Sequence, residues 1–467
     1  MRLMKIRRTK IALVLLSWQC EMTKRPDRQD YGGPSMTQPA ASPNTSRRQF
    51  LKLAAGGTAA AVSAARSARA QSKTITILHE SSFIKPFDEY VQNVLAPAYE
   101  KQTGIKVNYE VTSVGSLPTR ISTIAETGSG ADITMNGLLQ VIQFGEKYLD
   151  VGDVAEEIGK AQGGWYDAGK EAVLLNDKWK AIPFSNIGQL MNWRTDWFAE
   201  VGVKKFPDTW EELYEVGKKL KAKDHPFGFE LGHGFGDNHG WLYPLLWSYG
   251  GAEVAADGKT VVIDSAETAR AVDFARKFFK DTMLADVLGW TDVSNNKAWM
   301  AEQISCTNNA ESILWFAKRE FPEIGKVTDQ AMNPAGPKGR FHLLNSISHS
   351  IFSFSPVREE ARTFMRWLME PKQLGGWYAV AESYYQPLLH AYDTAPMWDI
   401  EPRNLPYRDA LASAHLPGWP APASRHLAES VAKYVVVDMF AKACAGASTP
   451  EVIKNAEAQL KDIYRSA

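Results

Sequence analysis

The hydrophobic and polar positions of this chain change period in a regular order. "KTITILHE" (73–80) alternates threonine with β-branched and apolar residues before a polar tip, the period-two pattern of a strand. The next segment places Phe87, Val91, Val94, Leu95 and Tyr99 at helical spacing and closes at Gly104. "IKVNYEVT" (105–112) reads as a second strand, "SLPTRISTIAETGSG" as a short helix and "ADITM" (131–135) as a third strand. Strand–helix–strand–helix–strand predicts a parallel α/β lobe. Amphipathic helices follow over 208–224, with Asp208 as N-cap, and over 264–282, capped by Asp264 or Ser265. Two more cover 357–380 and 448–464, and no fixed-period repeat occurs. The chain reads as α/β throughout. Ligands of open α/β sheets sit at the carboxyl ends of strands, which singles out the loops holding His79-Glu80-Ser81 and Asn136-Gly137.

The front of the chain carries an address. "TSRRQFLKLAAGGTAAAVSAARSARAQ" (45–71) has a paired arginine, a mildly apolar alanine-rich run and Ala68-Arg69-Ala70 as a small-residue cleavage site. Ser46-Arg47-Arg48-Gln49-Phe50-Leu51-Lys52 resembles a twin-arginine signal, so the twin-arginine export machinery is an expected partner and the periplasm the expected destination. Residues 1–70 are read as leader, with the signal over 45–70 and the true start at Met36. No other run is apolar for the ~20 residues that a membrane span needs.

Charge sharpens this picture. The chain is formally neutral, but 13 of its 53 basic and 3 of its 53 acidic residues lie in the first 70, leaving 40 basic and 50 acidic groups. An acidic mature protein has no electrostatic footprint for nucleic acid. Only Cys306 and Cys444 remain after the leader; they could pair, and two thiols cannot hold an iron–sulfur cluster. No cofactor is expected. Of the 15 tryptophans 14 lie beyond the leader, most of them as core, with flat faces for sugar stacking as one reason for the excess.

Catalytic motifs are mostly missing. Gly258-Lys259-Thr260 lacks the earlier glycine of a phosphate loop, no Gly-x-Ser-x-Gly occurs, and His79-Glu80 lacks the second histidine of a zinc protease. The stretch "GHGFGDNHGWLYPLLWSYGG" (232–251) stands out. His233 and His239 are too widely spaced for a zinc site of the usual kind. Glycines 232, 234, 236 and 240 instead require a close backbone approach or sharp turn. A helix from Asn238 onward would hold Asp237, Asn238 and His239 in its first turn, with Trp241 nearby, a set suited to a polyhydroxylated guest.

Four blocks in order resemble the extracellular solute-binding proteins of ABC importers, the sugar-binding type that includes maltose-binding protein. They are "AIPFSNIGQLMNWRTDWFAEVGVKKFPDTWEELYEVGKKLK" (181–221), "WLYPLLWSYGGAEVAADGKTVVIDSAETARAVDFARKFF" (241–279), "NPAGPKG" (333–339) and "FSPVREEARTFMRWLMEPKQLGGW" (354–377). The resemblance implies a two-lobed periplasmic-binding-protein fold, with hinge-linked lobes and a ligand cleft between them. It implies lobe 1 over 72–183 plus about 304–355 and lobe 2 over 184–303 plus about 356–467, with chain crossings near Pro183, 300–305 and 352–356. The implied cleft contacts are Glu80, Ser81, Asn136, Ser185, Asn186, Asp237, Asn238, His239, Trp241, Asn309, Asn345, Ser346, Tyr384 and Tyr385. Asn136 stands where relatives often have aspartate, and adjacent tyrosines such as Tyr384-Tyr385 bind iron in ferric receptors of the same broad fold.

The expected function is a monomeric, non-enzymatic receptor that binds a carbohydrate or polyol and passes it to the permease subunits of an ABC importer. A secreted glycoside hydrolase or a receptor for iron or another solute are the alternatives. No pair of opposed carboxylates can be nominated for the first from the sequence.

Overall fold

The structure, a computed structural model, describes residues 73–465. The leader and its twin-arginine reading lie outside the described residues. Two sheets organise the chain. The larger has six strands: β1 (Thr74–Glu80), β2 (Lys106–Thr112), β3 (Ile133–Asn136), β4 (Ile182–Asn186), β8 (Ser346–Ile351) and β9 (Gln386–Pro387). The smaller has three: β5 (Leu190–Arg194), β6 (Cys306–Asn309) and β7 (Thr328–Ala331).

In the larger sheet the order is β9-β4-β8-β3-β1-β2. The three strands read from the sequence are all present, with β1 parallel to both β2 and β3. Strand β8 then runs antiparallel to β3 and β4, making the sheet mixed. β3 is buried along its whole length, so its side chains carry no alternation for a sequence to show. The helical segment after β1 spans Lys85 to Thr103 with a π turn at Val91–Leu95, and Gly104 ends it at φ +74°.

One aromatic stack fastens the larger sheet to its helices. Phe184 of β4 lies parallel to His349 of β8 with ring centroids 4.5 Å apart, and next to Trp377 at 5.2 Å. Phe87 is sandwiched by Trp377 at 4.2 Å and Tyr385 at 3.9 Å. His79 completes the cluster as a core residue, with burial lowering its pKa to about 4.

The smaller sheet is antiparallel, with β5 between β6 and β7. Of the helices Trp210–Lys221, Asp237–Tyr249 and Ala266–Thr282, the third packs on the other two and on the C-terminal helices Val435–Cys444 and Thr449–Arg465. The first of these is capped by Thr209 in a capping box with Glu212, rather than by Asp208. Ser265 caps the third, as one of the two expected choices. The segment 357–380 forms two helices, Arg358–Leu368 and Pro371–Val380, because Pro371 cannot continue the first one. Cys306 and Cys444 are both free thiols.

The allocation of segments between sheets departs from the expected one. β6 and β7 flank β5, so residues 306–331 belong with the smaller sheet, and no crossing occurs at 300–305. Helices Arg358–Leu368 and Pro371–Val380 pack on the larger sheet's side, so none occurs at 352–356 either. The reason is geometric: β6 and β7 each need an antiparallel partner, and β5 offers both edges. The chain does pass between sheets just after Pro183, over 187–189 between β4 and β5. It returns between β7 and β8, over 332–345.

Buried amides lock these connections. Asn186 Nδ2 donates to Gln386 Oε1 at 3.0 Å, and its Oδ1 accepts from Asn345 N at 2.9 Å. Gly188 N donates to the same Gln386 oxygen at 2.7 Å. Asn186→Ala leaves the buried Asn345 N–H without its acceptor and takes one of two donors from Gln386 Oε1, so it is expected to destabilise the chain by about 1–3 kcal/mol. Urea denaturation of the variant measures this; an unchanged midpoint contradicts it.

Candidate functional site

The site forms where the two connections bring the sheets together. A narrow cleft, whose enclosed void is about 30 Å³ in this arrangement, lies between them. The larger sheet's side supplies Glu80, at the carboxyl end of β1, and Phe83 just beyond it. The smaller sheet's side supplies Asp237, Asp292 and Asn309. Gln189, Asn345 and Tyr384 line it near the connections. Among the described residues, no lysine, arginine or histidine lines this cavity.

Local chemistry fixes each of these groups. Asp292 accepts hydrogen bonds from the backbone N–H groups of Phe235 (2.8 Å) and Gly236 (3.0 Å), which hold the glycine-rich loop against it. Asp237 opens the helix Asp237–Tyr249 and accepts from Asn295 Nδ2 at 2.8 Å. Asn345 Oδ1 accepts from Leu138 N at 3.1 Å. Behind the wall, Glu230 is fully buried, with the Gly234 backbone beside its carboxyl and no side-chain donor among the described residues. Oxygens of Glu230, Asp237 and Asp292 all lie within 4.8 Å of one another.

Electrostatics follow from this crowding. Burial, then the charges of Asp292 and Asp88, push the Glu80 carboxyl up to about 8. Burial and the charge of Asp292 raise Asp237 well above the carboxylate range. Glu230 rises for the same reasons, burial first and then Asp292 and Asp237, with the Gly234 N–H pulling weakly the other way. Burial and crowding thus favour the protonated forms of Glu80, Asp237 and Glu230.

Five of the expected contacts meet here: Glu80, Asp237, Asn309, Asn345 and Tyr384. Others lie elsewhere. Asn136 is fully buried, donating to Ser350 Oγ at 3.1 Å and accepting from Tyr148 Oη at 2.8 Å, so its polar atoms are already occupied within the fold. Ser185 donates to the Asn186 carbonyl at 3.0 Å, and Asn186 serves the connection described above. Asn238 staples the glycine loop, donating to the carbonyls of Gly232 (2.6 Å) and Gly234 (3.0 Å). Ser81 is half-buried, its N–H donating to Thr112 O at 2.7 Å. Ser346 is buried in β8 without a partner for Oγ. Tyr385 is buried against Phe87.

Trp241 is a core residue. It is fully buried, its indole N–H donates to the Glu230 carbonyl at 2.8 Å, and its ring meets Phe229 edge-on at 5.5 Å. Trp210, Trp247, Trp299 and Trp377 are likewise buried, and among the described residues no tryptophan lines the cavity. The aromatic faces there are Phe83, Phe235 and Tyr384 instead. The glycines of the 232–251 stretch do allow close approach, but to the protein itself. A Cβ on Gly232 would sit 2.1 Å from the Trp290 carbonyl oxygen, and one on Gly240 would sit 2.5 Å from Gln189 Cβ.

His239 faces a second, wider chamber that shares Phe235 with the cavity. Thr119, Ser122 and Gln140 line it from the larger sheet's side, and Tyr434 from the other. Tyr434 takes a left-handed backbone (φ 56°) and stacks on His233 at 4.3 Å. Gln189, Phe235 and Asp292 were not singled out in the sequence. Gln189 follows the expected crossing strand by three positions, a signal that could have been used; Asp292 in "GWTDVSNN" carries none.

A profile described as "Bacterial extracellular solute-binding protein" matches residues 80–374. The chain belongs to that family. This solute-binding protein is 24% identical over 320 residues to a putative binding protein of Brucella abortus, covering 66% of this chain and 74% of that one. It is 23% identical over 188 residues to the diacetylchitobiose binding protein DasA of Streptomyces coelicolor, covering 39% and 43%. Its fold is that of a two-lobed periplasmic binding protein. It matches a maltose-bound T. maritima MalE3 structure with a TM-score of 0.73 and 20% identity, over 84% of this chain and all of that one. A ribitol complex of an ABC transporter solute-binding protein from Agrobacterium radiobacter matches with 0.71 and 17%, over 84% and 98%.

Two predictions follow from the burial. Trp241→Ala removes a large core side chain and is expected to cost about 3–5 kcal/mol of stability; a folded variant with an unshifted denaturation midpoint contradicts this. The second concerns pH. A carboxyl raised from 4.5 to about 8, as in Glu80, binds more protons folded than unfolded, so stability falls as pH rises through that window. Buried histidines act oppositely: His79 at about 4 and His239 at about 3 lower stability as pH falls below 6.5. Above pH 6.5 only the carboxyls act among these groups. The melting temperature of the unliganded protein should therefore fall between pH 6.5 and 8, and Glu80→Gln should flatten the fall, as read by calorimetry.

Proposed function

We propose that this chain is an exported receptor that binds a carbohydrate or polyol between its lobes and delivers it to the permease subunits of an ABC importer. It acts as a monomer, without catalysis, and reaches the periplasm by the twin-arginine route. The observation that carries this reading is the cavity's construction: polar groups from both sheets' sides face one space, with aromatic rings between them. Asn345, Gln189 and Ser312 supply amide and hydroxyl partners for hydroxyls, Asn309 shapes the wall with its amide held by Asn296 and Ala310, and Phe83, Phe235 and Tyr384 supply faces for C–H surfaces. The connections at 187–189 and 332–345, with a third passage between β9 and the C-terminal helices, allow hinge motion, and a guest that touches both sides favours the closed arrangement by its extra contacts there.

Relatives support the solute class. The Streptomyces relative is described as binding diacetylchitobiose, and matching structures hold maltose, ribitol and tagatose. A thermal-shift screen against sugars and polyols tests the reading, since a ligand of the native state raises the melting point. At least one such solute should stabilise the protein. Asn309→Ala and Tyr384→Ala should each weaken its binding by about tenfold, read by calorimetric titration. A full panel without a shift contradicts the proposal.

A further inference from the structure

The cavity carries more negative chemistry than a neutral guest uses. Glu80, Asp237 and Asp292 line it, Glu230 stands directly behind, and no cationic side chain among the described residues lines it in return. Ion pairs elsewhere in the chain are plentiful, including buried Arg194 with Asp196 and Glu302. Asp88, Glu253 and Glu311 are also buried without an ion pair, but among the described residues only around this cavity do the carboxyls crowd together, with oxygens of Glu230, Asp237 and Asp292 within 4.8 Å of one another.

Two further observations point to a ligand. The Glu230 carboxyl is fully buried with no side-chain donor and no cation among the described residues, only the Gly234 backbone beside it. Gln189 Oε1, on the same cavity's wall and only 4% exposed, is an acceptor without a donor. Buried acceptors in native proteins are normally satisfied, and a cluster of under-satisfied ones describes the shape of a missing donor with positive charge. The other walls say what surrounds that charge. Phe83, Phe235 and Tyr384 give π faces that attract a cation and cover carbon, while Ile187 and Ile347 give aliphatic surface. A bare metal ion would leave these faces unused.

We infer that the solute carries a protonated amine seated among Asp237, Asp292 and Glu80, so that the substrate class is amino-bearing sugars or polyols rather than neutral ones. This rests on the reading of the cavity as the solute site. The ammonium donates to the carboxylates and to Gln189 Oε1, and the hydroxylated remainder reaches Asn345 and Ser312.

Calorimetric titration of the purified protein at neutral pH with matched pairs tests it: D-glucosamine against D-glucose, glucamine against sorbitol, and the amino and neutral forms of a disaccharide. Putrescine and Ca²⁺ serve as controls. At least one amino member should bind about tenfold or more tightly than its neutral twin. Glu230→Gln and Asp292→Asn should each reduce that preference by about tenfold. Asp292 also holds the Phe235–Gly236 backbone, so Glu230→Gln is the variant that reports on charge if Asp292→Asn fails to fold. Equal affinity within every pair overturns this inference and leaves the carbohydrate or polyol reading standing. Failure of every hydroxylated member overturns both. Binding of Ca²⁺ alone overturns it in favour of a metal site.

Discussion

Carboxyl groups buried against one another, with no counter-cation among the described residues that line their cavity, are the constraint around which this site is organised. Glu80 comes from the end of β1, while Glu230, Asp237 and Asp292 come from the other side. Ionising them together inside a closed cleft is unfavourable through both desolvation and repulsion. The empty closed form must keep some of them protonated or open to water. A guest that supplies donors or positive charge removes that cost only when both sides are near it. The same arrangement thus accounts for a preference to close on a ligand.

The scaffold makes this possible by placing rigid groups at strand and helix ends. β1 delivers Glu80, the β4–β5 connection delivers Gln189, and the first residue of Asp237–Tyr249 delivers Asp237. Each is backed by a packed element: the Phe184–His349–Trp377 stack beneath the larger sheet, and the Trp241–Phe229 contact beneath the helix. Side chains held this way lose little entropy on binding, which favours affinity from few contacts.

Much of the architecture was legible from the sequence. The alternating run 73–80, the helical run to Gly104 and the strand at 106–112 were placed to within a residue or two because each carries its own local period of apolar positions. The site was half legible. Glu80 and Asp237 follow from rules about strand and helix ends, and Asn309, Asn345 and Tyr384 from the family resemblance. Trp241 misled because an indole in a glycine-rich stretch looks like a sugar platform, whereas its N–H is committed to the Glu230 carbonyl. Asn136 misled because nothing local shows that Tyr148 and Ser350 already occupy it. The division of segments between sheets was illegible past residue 300, since β6 and β7 find β5 across more than a hundred residues.

The most direct test of the account is a crystal structure with the most stabilising solute from the screen. The account predicts density between the sheets, bounded by Glu80 and Asn345 on one side and by Asp237, Asp292 and Asn309 on the other. Density held by one side only, or lying outside this cavity, would contradict it.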